Sequence, residues 1–456
     1  MGSAGSSTTR ELIGRTPNKA DRAAAMQGLL FVVPSLSITL ISYVLFTLLE
    51  ELTARELNVF SITVMSAIVL SLLGTAGVQF LIYGEVDESK CAANEAESRA
   101  CIRRGAEGGL TYALVFSVIA AAGLYPYFVM VLDFSLAQFL HFVALLSFYS
   151  MTWVLTASFW AVGENRYPAI IFPISYLVLF ALTYAFYLIG PVYTISGYTL
   201  GIGVLLWLSV VAAYTAFRGE SRAGGSFDAR SSKGRSLSGE YSGILLHTFL
   251  ILAIFLDKIV VWVSEGLREG TGLLIVGPYT SGAFLGLVPA FSVAAVAYFS
   301  YRTRPVAHGM YQGTLLDIRN RIAEYRRTYS RGFRVMLMLT LVLFCVIVPY
   351  GYFFVRDAEV FRILVTISVG VFFFVGIVFN SVVLPMFGKT GVAALSMFAV
   401  VLCVSVSALF VGVDVWYASV GFLVGSVLGF IVSDVYRRRL FAAFEYNMFR
   451  LLPVAG

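Results

Sequence analysis

Charged residues, histidine and cysteine are all scarce in this chain. Only 13% of its 456 residues are charged, and it has three histidines and four cysteines, whereas a soluble domain is about 25% charged. A Walker A sequence, an HExxH helix and a GxSxG elbow are also missing, which argues against an ATP-driven pump, a metalloprotease and a serine hydrolase. We therefore predict no enzymatic activity, no metal site and no cofactor.

Apolar residues are abundant instead and make up 59% of the chain. About twelve stretches approach or exceed the roughly 20 residues that a helix needs to cross a bilayer. This pattern predicts an all-α polytopic membrane protein. The predicted spans are 28–49, 58–83, 109–131, 135–162, 168–189, 196–217, 241–263, 275–299, 333–355, 363–386, 391–411 and 416–436.

The distribution of Lys and Arg predicts the orientation. With the N-terminus in the cytoplasm, the inner segments hold 26 of these residues, and the outer loops hold only Arg55, Arg268, Arg356 and Arg362. Cytoplasmic loops are enriched in positive charge, so we predict a plasma-membrane (inner-membrane) protein with both termini inside. This asymmetry explains the basic composition without a nucleic-acid partner. Residues 1–27 lack the apolar core of a signal peptide and are predicted to be a cytoplasmic tail.

A segment rich in Gly, Ser and charge, residues 218–240, predicts a flexible cytoplasmic linker. It separates six predicted spans from six others, which indicates two six-helix lobes at 28–217 and 241–436. Such halves, related by an axis along the membrane normal, are a known transporter plan. A basic cytoplasmic tail, 437–456, is predicted to follow.

Asp257 and Lys258 lie next to each other inside the seventh predicted span. A charge at this depth costs roughly 2.5–3.5 kcal/mol on an insertion scale, so the pair is the strongest candidate for function. Successive helical residues point about 100° apart, which predicts different partners. Asp257 is predicted to face a water-filled cavity and to bind a cation, a proton or a positively charged group. Lys258 is expected to reach the outer headgroups, and an ion pair with another helix is the alternative.

Other polar residues in the spans are weaker candidates for a substrate or ion pathway. His247 is predicted to be a packing residue or, alternatively, a proton relay. Gln79 and Asn380 are predicted to form hydrogen bonds between helices. Asp434 precedes three arginines and is predicted to pair locally with them.

Small residues recur every four positions in the last span, at Gly421, Gly425 and Gly429. Such a face lets two helix backbones approach closely, so we predict one tight helix–helix contact there. Pro289 interrupts the eighth span, and proline removes a backbone hydrogen bond from a helix.

Residues 314–331 form a predicted cytoplasmic amphipathic helix. Leu315, Ile318, Ile322, Tyr325 and Tyr329 recur at spacings of three and four, which places them on one stripe. One interpretation is a helix on anionic lipid headgroups. The other is a docking surface for a cytosolic partner, for which the candidate residues are Arg319, Arg321, Arg326 and Arg327.

Several motifs of the second half support a family resemblance: FLDKIVVWVS, GPYTSGAFLGLVPAF, YFSYRTRP and MYQGTLLDIRNRIAEY. In their order and spacing the chain resembles the PelG family, the membrane subunits of Pel exopolysaccharide export systems. The resemblance implies the MOP/MATE-like exporter fold, with two six-helix lobes around a cavity that opens alternately to each side. It also implies polysaccharide export in biofilm formation, with a cytosolic glycosyltransferase and other subunits of a synthase complex as partners. Asp257 is carried over as a cavity residue, and the family supplies no catalytic residue.

Two other functions fit the same residues. One is an ion-coupled antiporter of small molecules with the same fold. The other is a membrane scaffold that anchors a polysaccharide synthase and transports nothing.

Overall fold

Helices dominate the structure, as expected for a chain of long apolar stretches. The computed structural model describes residues 26, 28–38, 45, 49, 52–91, 95–217, 237–275, 277–309 and 315–443. Among these residues, eleven helical segments are long and apolar enough to cross a membrane, and a shorter apolar helix, Gly28–Ile38, precedes them. The prediction of an all-α, multi-pass membrane protein is confirmed.

Within the described residues, the first half of the chain has six α-helices. They are α1 (Gly28–Ile38), α2 (Ala54–Cys91), α3 (Glu95–Pro126), α4 (Leu136–Val162), α5 (Arg166–Ile189) and α6 (Thr194–Ala216). The start of α4 shows how the local sequence sets a boundary. The Ser135 hydroxyl accepts from Gln138 N while the Gln138 side chain accepts from Ser135 N, and this capping box satisfies two amides at the helix end. Part of the predicted first span lies outside the described residues.

The described part of the second half has seven α-helices. They are α7 (Leu237–Glu269), α8 (Pro278–Gly286), α9 (Ala294–Gly309), α10 (Leu315–Phe354), α11 (Ala358–Val383), α12 (Thr390–Ser407) and α13 (Trp416–Ala442). Most of the predicted linker, and the predicted C-terminal tail beyond 443, lie outside the described residues.

Two predicted boundaries differ from the structure. The eighth span is not one continuous helix, because a 3₁₀ segment, Val288–Val293, separates α8 from α9. Pro289 lies in this segment and has no amide hydrogen to continue an α-helix. The predicted amphipathic helix and the ninth span are one 40-residue helix, α10. Gly332, between the two predicted parts, does not interrupt it.

Each half packs around its own apolar core, and α7 contributes to both. Ala253 and Val261 belong to the core of the second half. Trp262, the next residue, belongs to the core of the first half. Because successive helical side chains point in different directions, α7 lies between these two cores.

The apolar stripe at the start of α10 packs against protein. Ile322, Tyr325 and Tyr329 are buried in the core of the second lobe, and the rings of both tyrosines contact Phe299. The interpretation that this stripe lies on lipid headgroups is therefore wrong for these three residues. The other stripe residues, Leu315 and Ile318, have side chains outside the described set.

The predicted close contact of the glycine face is confirmed. It packs against α12. A Cβ atom on Gly425 would lie 2.6 Å from Val400 Cα, and one on Gly429 would lie 2.4 Å from Ser396 O. Real Cβ atoms do not approach other atoms so closely, so only glycine allows α12 and α13 to pack at this distance.

Candidate functional site

The two lobes meet along α2 and α7. Near the predicted inner end, a Cβ on Gly243 would lie 1.9 Å from the Phe80 ring, so this ring occupies the space that a side chain at position 243 would take. Near the predicted outer end, Asn58 Nδ2 donates to Leu273 O at 3.1 Å, and Asn58 Oδ1 accepts from Ile275 N at 3.2 Å. One amide side chain thus satisfies two backbone groups of the other lobe.

Two further contacts join the lobes. At the predicted outer end, the Tyr127 hydroxyl donates to Gly272 O at 3.2 Å. Towards the predicted inner end, a Cβ on Gly28 would lie 2.7 Å from Ala294 O, which brings α1 against α9. The lobes therefore contact each other near both ends in this conformation.

The Asp257–Lys258 pair lies between these ends, on α7. Lys258 Nζ is 3.0 Å from Asp257 Oδ1 and 3.1 Å from Oδ2, and it also donates to Ile254 O at 2.8 Å. An ammonium group has three donors, and these contacts supply three acceptors. The side chains are 0% and 1% exposed.

Helix α8 completes the environment of the pair. The Tyr279 hydroxyl donates to Asp257 Oδ2 at 2.8 Å. The Phe284 ring lies with its centroid 5.8 Å from Lys258 Nζ, a distance at which a cation is attracted to the ring. A second bond, from Trp262 Nε1 to Thr280 Oγ1 at 2.8 Å, joins the same two helices. Asp257 and Lys258 are thus stabilised by Tyr279, by the Phe284 ring and by a backbone carbonyl, as well as by each other.

This geometry corrects the expectation for Lys258. Its ammonium does not extend to the outer headgroups but pairs with the carboxylate of Asp257 itself. The four-carbon stem bends back along α7, which brings Nζ to the neighbouring carboxylate despite the 100° rotation between the residues. Asp257 is buried in this conformation, so its predicted position in an aqueous cavity is not seen here. Its role in a pathway stays a prediction.

His247 and Gln79 lie close to the contact of the lobes. His247 Nδ1 is 3.2 Å from Gly243 O, and its ring is 5.3 Å from that of Phe80. This environment supports the packing interpretation, and the proton relay stays a prediction. Gln79 Nε2 donates to Thr75 Oγ1 at 2.9 Å within α2, so this bond does not join two helices as expected.

Asn380 connects three helices, as predicted for an interhelical hydrogen-bond group. Its Oδ1 accepts from the Tyr329 hydroxyl on α10 at 2.6 Å, and its Nδ2 donates to Ser433 Oγ on α13 at 3.0 Å. The residue is buried. Its contribution to a pathway stays a prediction, as does that of Gln79.

Local pairing of Asp434 is confirmed. Its Oδ1 accepts from Arg437, and its Oδ2 accepts from Arg438 Nε at 2.7 Å. The four arginines predicted to bind a partner lie on α10, where Arg319, Arg326 and Arg327 are exposed and Arg321 is partly exposed.

Sequence reasoning missed a polar cluster in the first lobe. The Tyr149 and Tyr198 hydroxyls are 2.7 Å apart. His141 lies 3.1 Å from both Thr199 Oγ1, through Nδ1, and Ser196 Oγ, through Nε2. His141 and Tyr149 are eight residues apart, a spacing that places both on one face of α4. That periodicity was the signal that could have found them.

Asp257 gives this site a buried carboxylate, a group that can accept hydrogen bonds or bind a proton. Within the described ranges, no three or more His, Cys, Asp or Glu residues come together as a metal site. The helix that carries Asp257, α7, contributes residues to the cores of both lobes. Movement of one lobe against the other would change its surroundings.

Comparison with solved structures identifies the fold of this chain. A MOP superfamily transporter from Pyrococcus furiosus matches with a TM-score of 0.69 and 12% identity, over 94% of this chain and 97% of that one. An outward-facing multidrug resistance MATE family transporter matches with a TM-score of 0.66 and 13% identity, over 94% and 99%. A MATE transporter from Vibrio cholerae has a TM-score of 0.63 and 12% identity, over 93% and 98%. The protein has the fold of the MOP superfamily transporters.

The family follows from the sequence. The model "PelG: Putative exopolysaccharide Exporter (EPS-E)" matches residues 23–449. The chain belongs to the PelG family, and by family and fold it is a membrane transporter. No curated protein sequence matches it significantly.

Proposed function

We propose that this protein moves an exopolysaccharide, or its precursor, across the plasma membrane and is not an enzyme. The family match over residues 23–449 carries the proposal. We propose that the lobes separate at one end at a time during transport, and the contacts between the lobes near both ends are consistent with such a cycle. The contacts at Asn58 and at Gly243 are the ones that such a cycle breaks in turn.

We assign the pathway role to Asp257. In the arrangement seen here its charge is balanced by Lys258, and its Oδ2 also accepts a hydrogen bond from Tyr279. Displacement of α8 from α7 removes the Tyr279 donor and exposes the carboxylate, which can then take a proton, a cation or a positively charged group of the substrate. His247, Asn380 and Gln79 are secondary candidates along the same pathway.

The decisive experiment separates a structural from a functional role of Asp257. Secreted polymer is measured per cell for Asp257→Asn, for Asp257→Asn/Lys258→Met and for the exposed control Asp133→Asn, at equal amounts of folded protein in the membrane. We expect both Asp257 variants to lose export by about tenfold or more, which corresponds to about 1.4 kcal/mol or more. We expect the control to export normally. Wild-type export from a correctly inserted Asp257→Asn protein would disprove the role of Asp257.

Two outcomes favour the other functions. Proton- or sodium-dependent efflux of cationic drugs, with unchanged polymer export in a deletion strain, supports the ion-coupled antiporter. Vesicles that recruit a synthase but move no polymer support the scaffold. Polymer uptake into inverted vesicles that contain this protein supports the exporter.

The partner is proposed to be a cytosolic glycosyltransferase within a synthase complex. Its docking surface comprises Arg319, Arg321, Arg326 and Arg327 at the start of α10, a location that requires both termini to be cytoplasmic. The 26-to-4 distribution of Lys and Arg supports that orientation. Copurification of the enzyme with the wild-type protein, and its loss from Arg319→Glu/Arg327→Glu, would support the contact. Equal recovery with both proteins would contradict it.

A further inference from the structure

A basic cleft lies between α10 and the end of α13. Its volume is about 370 Å³, within the roughly 300–1,000 Å³ typical of small-ligand sites. Arg326, Arg334 and Arg437 line it together with the rings of Tyr329, Phe333 and Phe441. None of the described lining residues is acidic, so the cleft suits an anion.

Its innermost arginine is fixed in place. Arg437 is 16% exposed and pairs with Asp434. Its guanidinium carbon is 5.1 Å from the Tyr329 ring centroid and 5.9 Å from that of Phe333. Because the Asp434 carboxylate also pairs with Arg438, one negative charge is shared by two positive ones. The side chain is therefore preorganised, and the cleft retains net positive charge.

The other two arginines project from α10 at the mouth of the cleft. Arg326 and Arg334 are exposed, and they are eight residues apart, so they lie on one helix face. Arg326 donates to Phe441 O, which ties the two walls together. Guanidinium groups bind phosphate through paired hydrogen bonds. The arrangement is suited to a phosphate group.

The sequence of α10 gives the depth of the cleft in the membrane. After Arg334 no charged residue occurs until Arg356. The 21 intervening residues span about 31 Å of helix, close to the hydrocarbon thickness of about 30 Å. Met338 and Val342, one and two turns into this run, are exposed apolar residues that suit contact with acyl chains. The cleft is thus at the level of the headgroups.

We propose that this cleft is a binding site for the phosphate of an anionic phospholipid in the cytoplasmic leaflet. Arg326, Arg334 and Arg437 contact the phosphate, and the acyl chains follow the apolar surface of α10. A lipid fits better than a soluble anion because the apolar run begins directly at Arg334. Arg326 also belongs to the proposed docking surface, but binding of a lipid at this cleft does not depend on the proposed substrate.

The test uses the full chain, purified and stripped of lipid, and measures binding of phosphatidylglycerol by native mass spectrometry. The variant Arg326→Gln/Arg334→Gln is compared with Arg331→Gln/Arg439→Gln. The control removes the same charge from exposed positions of α10 and α13 that do not line the cleft. We expect the first variant to bind about tenfold more weakly than the wild type, equivalent to about 1.4 kcal/mol. The control should bind like the wild type.

If both variants bound phosphatidylglycerol equally weakly, the proposed site would be disproved, because only the general surface charge would then matter. Equal affinity for phosphatidylcholine with the same chains would overturn the preference for anionic lipid. Displacement of the lipid by millimolar inorganic phosphate would assign the cleft to a free anion instead. Unchanged lipid binding with loss of glycosyltransferase recovery would assign it to protein docking.

Discussion

The hydroxyl of Tyr279 donates a 2.8 Å hydrogen bond to Oδ2 of Asp257 and so joins α8 to α7. The carboxylate is buried, so protein groups rather than bulk water must stabilise its charge. Lys258 supplies the opposite charge from the same helix. The stability of the site thus depends on groups from two helices, and each can be removed separately.

Removal of the Tyr279 hydroxyl should destabilise the protein with little change in shape. A hydrogen bond to a charged group contributes about 1.5–3 kcal/mol, so Tyr279→Phe should lower the free energy of unfolding by that amount. Denaturation in detergent, followed by fluorescence, measures the change. Tyr352→Phe is the control because Tyr352 is exposed near the end of α10. The same small change in both variants would mean that the hydroxyl contributes nothing.

The Asp257–Lys258 pair should show strong energetic coupling. Asp257→Asn leaves a buried ammonium without its counter-charge, a situation that costs about 3–5 kcal/mol. Lys258→Met leaves a buried carboxylate and should cost a similar amount. The double variant should be more stable than the sum of the two single effects predicts. A thermodynamic cycle of the four proteins measures the coupling, and additive effects would show that the pair does not interact.

The membrane architecture could be predicted from the sequence because it depends on local properties. Apolar length predicts a span whatever its neighbours are, and Gly421, Gly425 and Gly429 predict a close contact without identifying its partner. The continuity of α10 through Gly332 was missed, because a glycine does not by itself end a helix. The side chains nearest to Gly332 are Phe299 and Phe379, which belong to α9 and α11.

The details of the charged site were harder to predict. Helical geometry places Asp257 and Lys258 on different faces, but it does not describe how a long, flexible lysine side chain bends. Tyr279 is 22 positions away from Asp257, and its role depends on how α8 packs on α7. Sequence alone could identify the charges, whereas their partners required tertiary structure.

Loss of the Asn58 contacts should favour conformations that are open at the predicted outer end. Asn58→Ala removes two hydrogen bonds between the lobes, each contributing about 1 kcal/mol. The equilibrium between closed and open forms should shift about tenfold or more. Spin labels at Leu136 and Leu267, both exposed, would report it as longer distances in a background without native cysteines.

A nearby substitution controls for general effects at this end of the molecule. Arg55 pairs with Asp133 within the first lobe, and both side chains are largely exposed. Arg55→Gln should therefore leave the distance distribution unchanged, since exposed ion pairs contribute about 0–1 kcal/mol and this one does not join the lobes. A distribution for Asn58→Ala identical to the wild-type one would show that the amide does not hold the lobes together.

Acid should weaken the loop between α12 and α13. Burial raises the pKa of Asp414, but the Trp416 amide and the Arg362 guanidinium outweigh it, so the pKa lies below its ordinary value of 3.8. A lowered pKa in the folded state means that the stabilisation is present above pH 3.8 and is lost as the pH falls through the folded value. The pair is partly exposed, so the effect should be at most about 1 kcal/mol.

Asp414→Asn tests this assignment. The variant should be less stable than the wild type at neutral pH, and the difference should shrink as the solution is acidified below pH 3.8. Unfolding free energies measured as a function of pH provide the comparison. Asp133→Asn controls for the loss of one surface carboxylate. A stability difference that stays constant down to pH 2 would contradict the assignment.

Alanine should have opposite effects at two glycines of the membrane helices. At Gly123, in α3, an added Cβ meets nothing within 4 Å, so Gly123→Ala should stabilise the protein by about 0.5–1 kcal/mol through reduced backbone freedom. At Gly425 the same atom would lie 2.6 Å from Val400 Cα and 3.0 Å from Cys403 Cβ. Gly425→Ala should force α12 away from α13 and cost about 1–3 kcal/mol. Thermal unfolding of both variants in one detergent measures the difference, and equal shifts in the same direction would show that α12 and α13 do not depend on this close approach.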